Sequence, residues 1–121
     1  MFYFLLLLLT GCASIPTKPQ VEGVIIFQKP ADVVRNAAVD ALVVMGFDIK
    51  KSDLPYIEGF RPRKVGFFVG SGGETVGIWL ESLETAKTRV SVSTAKSFLG
   101  ILGQKNWDGE ILTEMEKILG K

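Results

Sequence analysis

The chain has 121 residues, 14 Lys plus Arg against 13 Asp plus Glu for a formal net charge of +1, and 47% hydrophobic residues. Near-neutrality argues against a general nucleic-acid binder, whose footprint is a strong basic excess. The lack of any histidine removes the commonest general base, the commonest metal ligand and every Ser-His or Cys-His nucleophile pair.

Met1 to Leu9 is an uncharged apolar run, too short to span a bilayer as a helix, and it closes on Leu9-Thr10-Gly11-Cys12, which holds the one cysteine. Small Gly11 gives a peptidase access to the bond, Leu9 supplies an apolar side chain to a membrane-embedded site, and Cys12 supplies a nucleophilic sulfur. The stretch resembles a lipobox. In the bacterial lipoproteins that carry one, the cysteine thiol is diacylated, the bond before it is cut, and the new amino group is usually acylated too. Residues 1–11 are therefore expected to be a removed signal peptide and Cys12 the lipidated first residue. Two or three palmitate-class chains at ~0.8 kcal/mol per buried methylene exceed what reversible membrane binding requires. No Lys or Arg precedes the apolar run, where a secretory signal carries a basic region. That points to a start upstream of Met1 or to an internal methionine at this position. With Cys12 acylated, no disulfide is available.

Residues 12–20 read as a lipidated tether, since Ser14, Pro16, Thr17 and Pro19 suit neither a helix nor a central strand. At roughly 3.1–3.5 Å per extended residue, it keeps the domain within a few tens of ångströms of the bilayer. The remainder of the chain, residues 21–121, is enough for one modest domain with a core and too little for two.

Val21 to Gln28 is β-branched and aromatic and predicts a strand, stopped at Lys29-Pro30. A helix then runs from Pro30 to Met45. Stepping 100° per residue puts Val33, Val34, Ala37, Ala38, Ala41, Leu42, Val44 and Met45 on a core half, and Val39 and Val43 on the polar half. Gly46 supplies a left-handed stop. Strands are predicted at Phe47 to Ser52, Tyr56 to Arg61, Val65 to Val69, Thr75 to Leu83 and Thr88 to Ala95. In the fourth of these, Val76, Ile78 and Leu80 alternate with Gly77, Trp79 and Glu81, so one face is aliphatic and the other carries a tryptophan beside a charge. Asn106 caps a last helix whose apolar side is Trp107, Ile111, Leu112, Met115, Ile118 and Leu119. The order β-α-β-β-β-(β)-α predicts an α+β two-layer sandwich: an antiparallel sheet of about four or five strands with both helices on one face.

Gly70 to Glu74 lacks the Gly-Lys-Ser/Thr of a phosphate loop and reads as a hairpin connection. Arg61, Arg63 and Lys64, with Lys50 and Lys51 nearby, read as a solvated basic turn, or else as a patch for anionic headgroups. Asp40, Glu58, Glu74, Glu81, Glu84, Asp108 and Glu110 fall mostly at turns, helix ends or polar faces, where solvation or capping accounts for them. No catalytic residue, metal site or cofactor is expected, and the protein is not expected to be an enzyme. The candidate interaction surface is Phe98, Leu99, Ile101 and Leu102, apolar residues in a glycine-interrupted connection that otherwise folds back as core, together with Trp79, with Phe68 extending it if it faces the same way.

The whole pattern resembles a group of small bacterial lipoproteins of unknown function: lipobox Leu9 to Cys12, an Ala-rich helix ending in Gly-Phe over Ala37 to Phe47, a meander including Tyr56 to Gly59, and a Gly-rich segment with its helix over Gly100 to Leu119. The resemblance implies a fold and an address. Ala13 after the cysteine fits lipoproteins sorted to the outer membrane, facing the periplasm. The expected function is a non-enzymatic interaction or accessory module of the cell envelope. Its partners are the membrane, through Cys12, and an envelope protein, with self-association through a sheet edge also open. The alternative is a lipid or small hydrophobic-ligand carrier with a cavity lined by Phe60, Phe67, Ile78 and Met115. An envelope enzyme comes third.

Overall fold

The computed structural model describes Pro16, Lys18 and residues 23–62, 73–95 and 106–120. Among the described residues, five strands and two helices occur in the order β1 (Val24–Phe27), α1 (Ala31–Val44), β2 (Asp48–Lys51), β3 (Tyr56–Phe60), β4 (Thr75–Glu84), β5 (Lys87–Ala95) and α2 (Asp108–Leu119). The strands form one antiparallel sheet in the order β1-β5-β4-β3-β2. The fold is therefore the α+β arrangement that the alternation of periods predicts. The predicted strand at Val65 to Val69, and with it Phe67, Phe68, Arg63 and Lys64, lies outside the described residues, as do Cys12 and Phe98 to Leu102.

Period-two alternation decides which side of the sheet is core. Ile57, Val76, Ile78, Leu80, Val90 and Val92 project to one face and are enclosed by Val34, Ala38, Ala41 and Leu42 of α1 and by Ile111 and Met115 of α2. Fully burying a side chain of this size contributes about 1.5–3 kcal/mol. The alanines let α1 settle close to the sheet. At Gly59 an added Cβ would lie 3.1 Å from Leu42 Cδ1 and 3.3 Å from Phe47 Cβ, so the helix and its exit rest directly on bare strand backbone.

Pro30 caps α1 in extended conformation, and the helix ends as predicted: Gly46 adopts φ +88°. Its N–H donates to the Val43 carbonyl, and the Phe47 N–H donates to the Leu42 carbonyl at 2.9 Å, which satisfies two of the last free carbonyls. The buried stripe of α1 is narrower than predicted. Val33 and Val44 are 40% and 68% exposed, whereas Val39 packs against the core. A helix seated this low on small residues encloses only what lies directly beneath it, and its marginal valines stand in solvent. In α2, Ile118 is likewise exposed rather than core, while Ile111 and Met115 are buried.

The start of α2 is tied to β5. The N-cap is Trp107, with no side-chain cap bond, rather than the predicted Asn106, which stands one residue earlier and whose Oδ1 accepts from the Asp108 N–H at 2.8 Å. Thr94 Oγ1 accepts from the Trp107 N–H and donates to Asp108 Oδ1. Edge strand β2 is mostly exposed, bears Asp48, Lys50 and Lys51, and carries a register shift between Ile49 and Lys51; charge and irregularity both discourage edge pairing. Among the described residues, no helix is long and apolar enough to cross a membrane.

Candidate functional site

Both helices cover the same side of the sheet, so the other side is the natural place to look for a site. Along β4 that side presents Gly77, Trp79 and Glu81, matched across the ladder by Ser93, Ser91 and Arg89 on β5 and by Tyr56 and Glu58 on β3. Arg89 and Glu81 pair at 2.6 Å in solvent. Toward the middle the residues become small, and two aromatic rings close over them. Tyr56 and Trp79 are directly opposite in register, their ring centroids 5.0 Å apart and tilted by 44°. Tyr56 Oη donates to Glu58 Oε1 at 2.8 Å, which fixes the orientation of the phenol ring. Burial, followed by the hydrogen bond and charge of Glu58, raises the Tyr56 pKa far above that of a free phenol, so the ring stays neutral. Lys51 Nζ lies 6.0 Å from the centre of this ring, and Lys50 Nζ lies 5.9 Å from that of Phe60.

No protein-family model matches the chain, and no curated protein matches it significantly. Its function is therefore to be sought in the residues themselves.

Trp79 is where its alternation predicts, half-buried on the open face. The other members of the candidate surface, Phe98, Leu99, Ile101 and Leu102, and the lipidation residue Cys12 fall outside the described residues. Of the basic group, Arg61 is not a solvated turn residue: its guanidinium sits 4.9 Å over the Trp107 ring, and Nη1 is 4.0 Å from Glu74 Oε1. Glu74 is the larger correction among the carboxylates. It is fully buried, and its Oε2 accepts from Trp107 Nε1 at 3.0 Å. A Gly-Gly-Glu turn gives no local sign of burial, and the tryptophan that draws the carboxylate inward lies beyond two strands. Trp107 in turn packs edge-on against Phe47 at 5.4 Å. The arrangement locks the β3–β4 connection to the start of α2.

Among the described residues, no three His, Cys, Asp or Glu side chains are grouped to hold a metal ion. Of the residues expected to line a carrier cavity, Ile78 and Met115 are fully enclosed in the core, Phe60 lies on the opposite side of the sheet, and Phe67 is outside the described set. A hollow of about 480 Å³, open to solvent between the end of α1 and α2, is lined by Met45, Asn106, Gly109, Glu110, Thr113, Glu114 and Lys117. A second, of about 290 Å³, lies by Phe27, Lys29 and Leu119.

One contact on the open face was not foreseeable from sequence. Pro16, read as part of a free tether, is buried, with its Cβ beside Gly77. The only local hint is the glycine itself, since Gly in a strand interior marks a place where another group comes close.

Proposed function

We propose that the protein is a membrane-anchored lipoprotein of the bacterial cell envelope, held at the outer membrane by an acylated Cys12, whose α+β domain works as a non-enzymatic interaction module in the periplasm. The observation that carries this is Leu9-Thr10-Gly11-Cys12 at the end of an uncharged apolar run. It is supported by a sheet whose two described helices lie on one side, with the half-buried rings of Trp79 and Tyr56 on the other.

The test is expression of the full chain in a bacterium fed a clickable palmitate analogue. Label should enter the wild-type protein, with residues 1–11 absent by mass spectrometry and the product fractionating with outer membrane. Cys12→Ala should take up no label and keep its leader. Unlabelled, unprocessed wild-type protein would overturn the anchor. For the module, photocrosslinking from position 79 should give a discrete partner, with Lys117 on the exposed face of α2 as the control. Turnover of a substrate abolished by one carboxylate substitution would replace the module with an enzyme.

A further inference from the structure

Glycine in the middle of a strand is destabilising relative to alanine, because it loses more chain entropy and offers no side chain to pack. Gly77 stands within β4 nonetheless, and it is buried on the face opposite α1 and α2. The reason is crowding. A Cβ at Gly77 would lie 2.8 Å from Trp79 Cη2, 2.9 Å from Tyr56 Cε1 and 2.9 Å from Pro16 Cβ. Three groups thus converge on the volume a side chain would take. Two of them belong to the sheet, and aromatic rings commonly close over a strand glycine. The third does not. Pro16 comes from the linker, it is buried, and Lys18, two residues further on, is exposed. Of the two linker residues described, the proline is buried and the lysine is not.

The surroundings suit that residue. Proline carries a rigid, apolar ring and a fixed φ, so it loses little entropy when it docks, and it prefers flat aromatic walls. Here the walls are Tyr56 and Trp79, the floor is bare Gly77 backbone, and Glu58 holds the Tyr56 hydroxyl so that the wall does not swing. We propose that Tyr56, Gly77 and Trp79 form a proline-binding site on the open sheet face, and that its resident ligand is Pro16 of the protein's own linker. A single proline makes too little contact to bind tightly between separate molecules. Joined to the same chain, it meets the site at an effective concentration in the millimolar range or above, which is enough to keep it seated. The site stands whether or not Cys12 is acylated.

The experiment is fluorine NMR of the full-length chain in detergent, labelled with fluorotryptophan. The chain has two tryptophans, and Trp79→Phe assigns the resonances. Pro16→Gly is expected to shift the Trp79 resonance and leave that of Trp107 unmoved, the latter reporting an intact core, while Pro19→Gly should move neither. Gly77→Ala moves the indole itself, since its methyl would lie 2.8 Å from Trp79 Cη2; because that methyl also takes the proline's place, adding Pro16→Gly to Gly77→Ala should bring no further Trp79 shift. A synthetic peptide covering residues 13–20, added to the Pro16→Gly chain at about 10 mM, should restore the wild-type shift. The same peptide with Gly at position 16 should not. A Trp79 resonance indifferent to Pro16→Gly would overturn the proposal, as would equal responses to Pro16→Gly and Pro19→Gly, or to the two peptides.

Discussion

Trp107 donates its indole N–H to Glu74 at 3.0 Å across 33 positions of sequence, joining the mouth of the β3–β4 connection to the beginning of α2. Arg61 lies over the indole ring and completes the group. Removing the carboxylate strands a buried indole donor and leaves a void, whereas an amide keeps an acceptor in place. Glu74→Ala is expected to cost about 3 kcal/mol and Glu74→Gln about 1 kcal/mol, read from urea unfolding midpoints at equal m-value. Equal losses for the two would show that the carboxylate charge facing Arg61, rather than its packing or its acceptance from Trp107, carries the contribution.

The raised pKa of Tyr56, caused first by burial and then by Glu58, makes stability depend on pH at the alkaline end. An unfolded chain's phenol ionises near pH 10, where the folded phenol still keeps its proton. The contribution of Tyr56 is therefore complete below about pH 10 and drains away as pH rises beyond it. The urea midpoint of the wild type should fall more steeply above about pH 10 than that of Tyr56→Phe. Phenolate absorbance from Tyr56 should emerge only at still higher pH; its appearance in the ordinary tyrosine range would contradict the environment described.

Close approach of α1 to the sheet is tested at Gly59. An alanine methyl there meets Leu42 Cδ1 at 3.1 Å and Phe47 Cβ at 3.3 Å. Leu42 can yield by a few tenths of an ångström, but Phe47 is held by the backbone that ends the helix. Gly59→Ala should destabilise by about 1–3 kcal/mol, as overpacking does. A neutral or stabilising result by thermal denaturation would mean that the contact is slack.

The narrow buried stripe of α1 separates two apolar residues two positions apart. Leu42 is fully buried and Val44 is 68% exposed. Leu42→Ala is expected to cost about 2–5 kcal/mol. Val44→Lys should change stability by no more than about 0.5 kcal/mol in either direction. Chemical denaturation of both variants decides whether the helix sits as described.

Much of this architecture is written in local pattern. Val76, Ile78 and Leu80, set against Val90 and Val92, reveal a half-buried hairpin because a strand's faces alternate. Ala37, Ala38 and Ala41 followed by Gly46 reveal a close-packed helix and its stop. Periodicity also assigns Trp79 to the opposite face of the sheet from Ile78. It is silent about register, so it cannot say that Tyr56 stands across from Trp79, nor that Glu74 is drawn inward by a tryptophan far along the chain. Val44 misleads for a related reason: a helical wheel gives direction but not the depth of the cover above it. Pro16 is the clearest case, since proline in a polar stretch reads as linker and only the missing side chain at Gly77 betrays the contact.

With Cys12 acylated, the docked proline would also determine how the molecule hangs. From Cys12 to Pro16 the backbone can reach only about 14 Å. The leash is then four residues long, measured to the sheet rather than to β1, and its point of attachment is the floor between Tyr56 and Trp79. A body moored there cannot tumble freely: the sheet face that carries Tyr56 and Trp79 would stay beside the bilayer, so a partner crosslinked from Trp79 would meet it at the membrane surface. The outer surfaces of both helices, with Val43, Val44 and Ile118 among their exposed residues, would look away from the bilayer. Undocking Pro16 would lengthen the mooring and release that orientation.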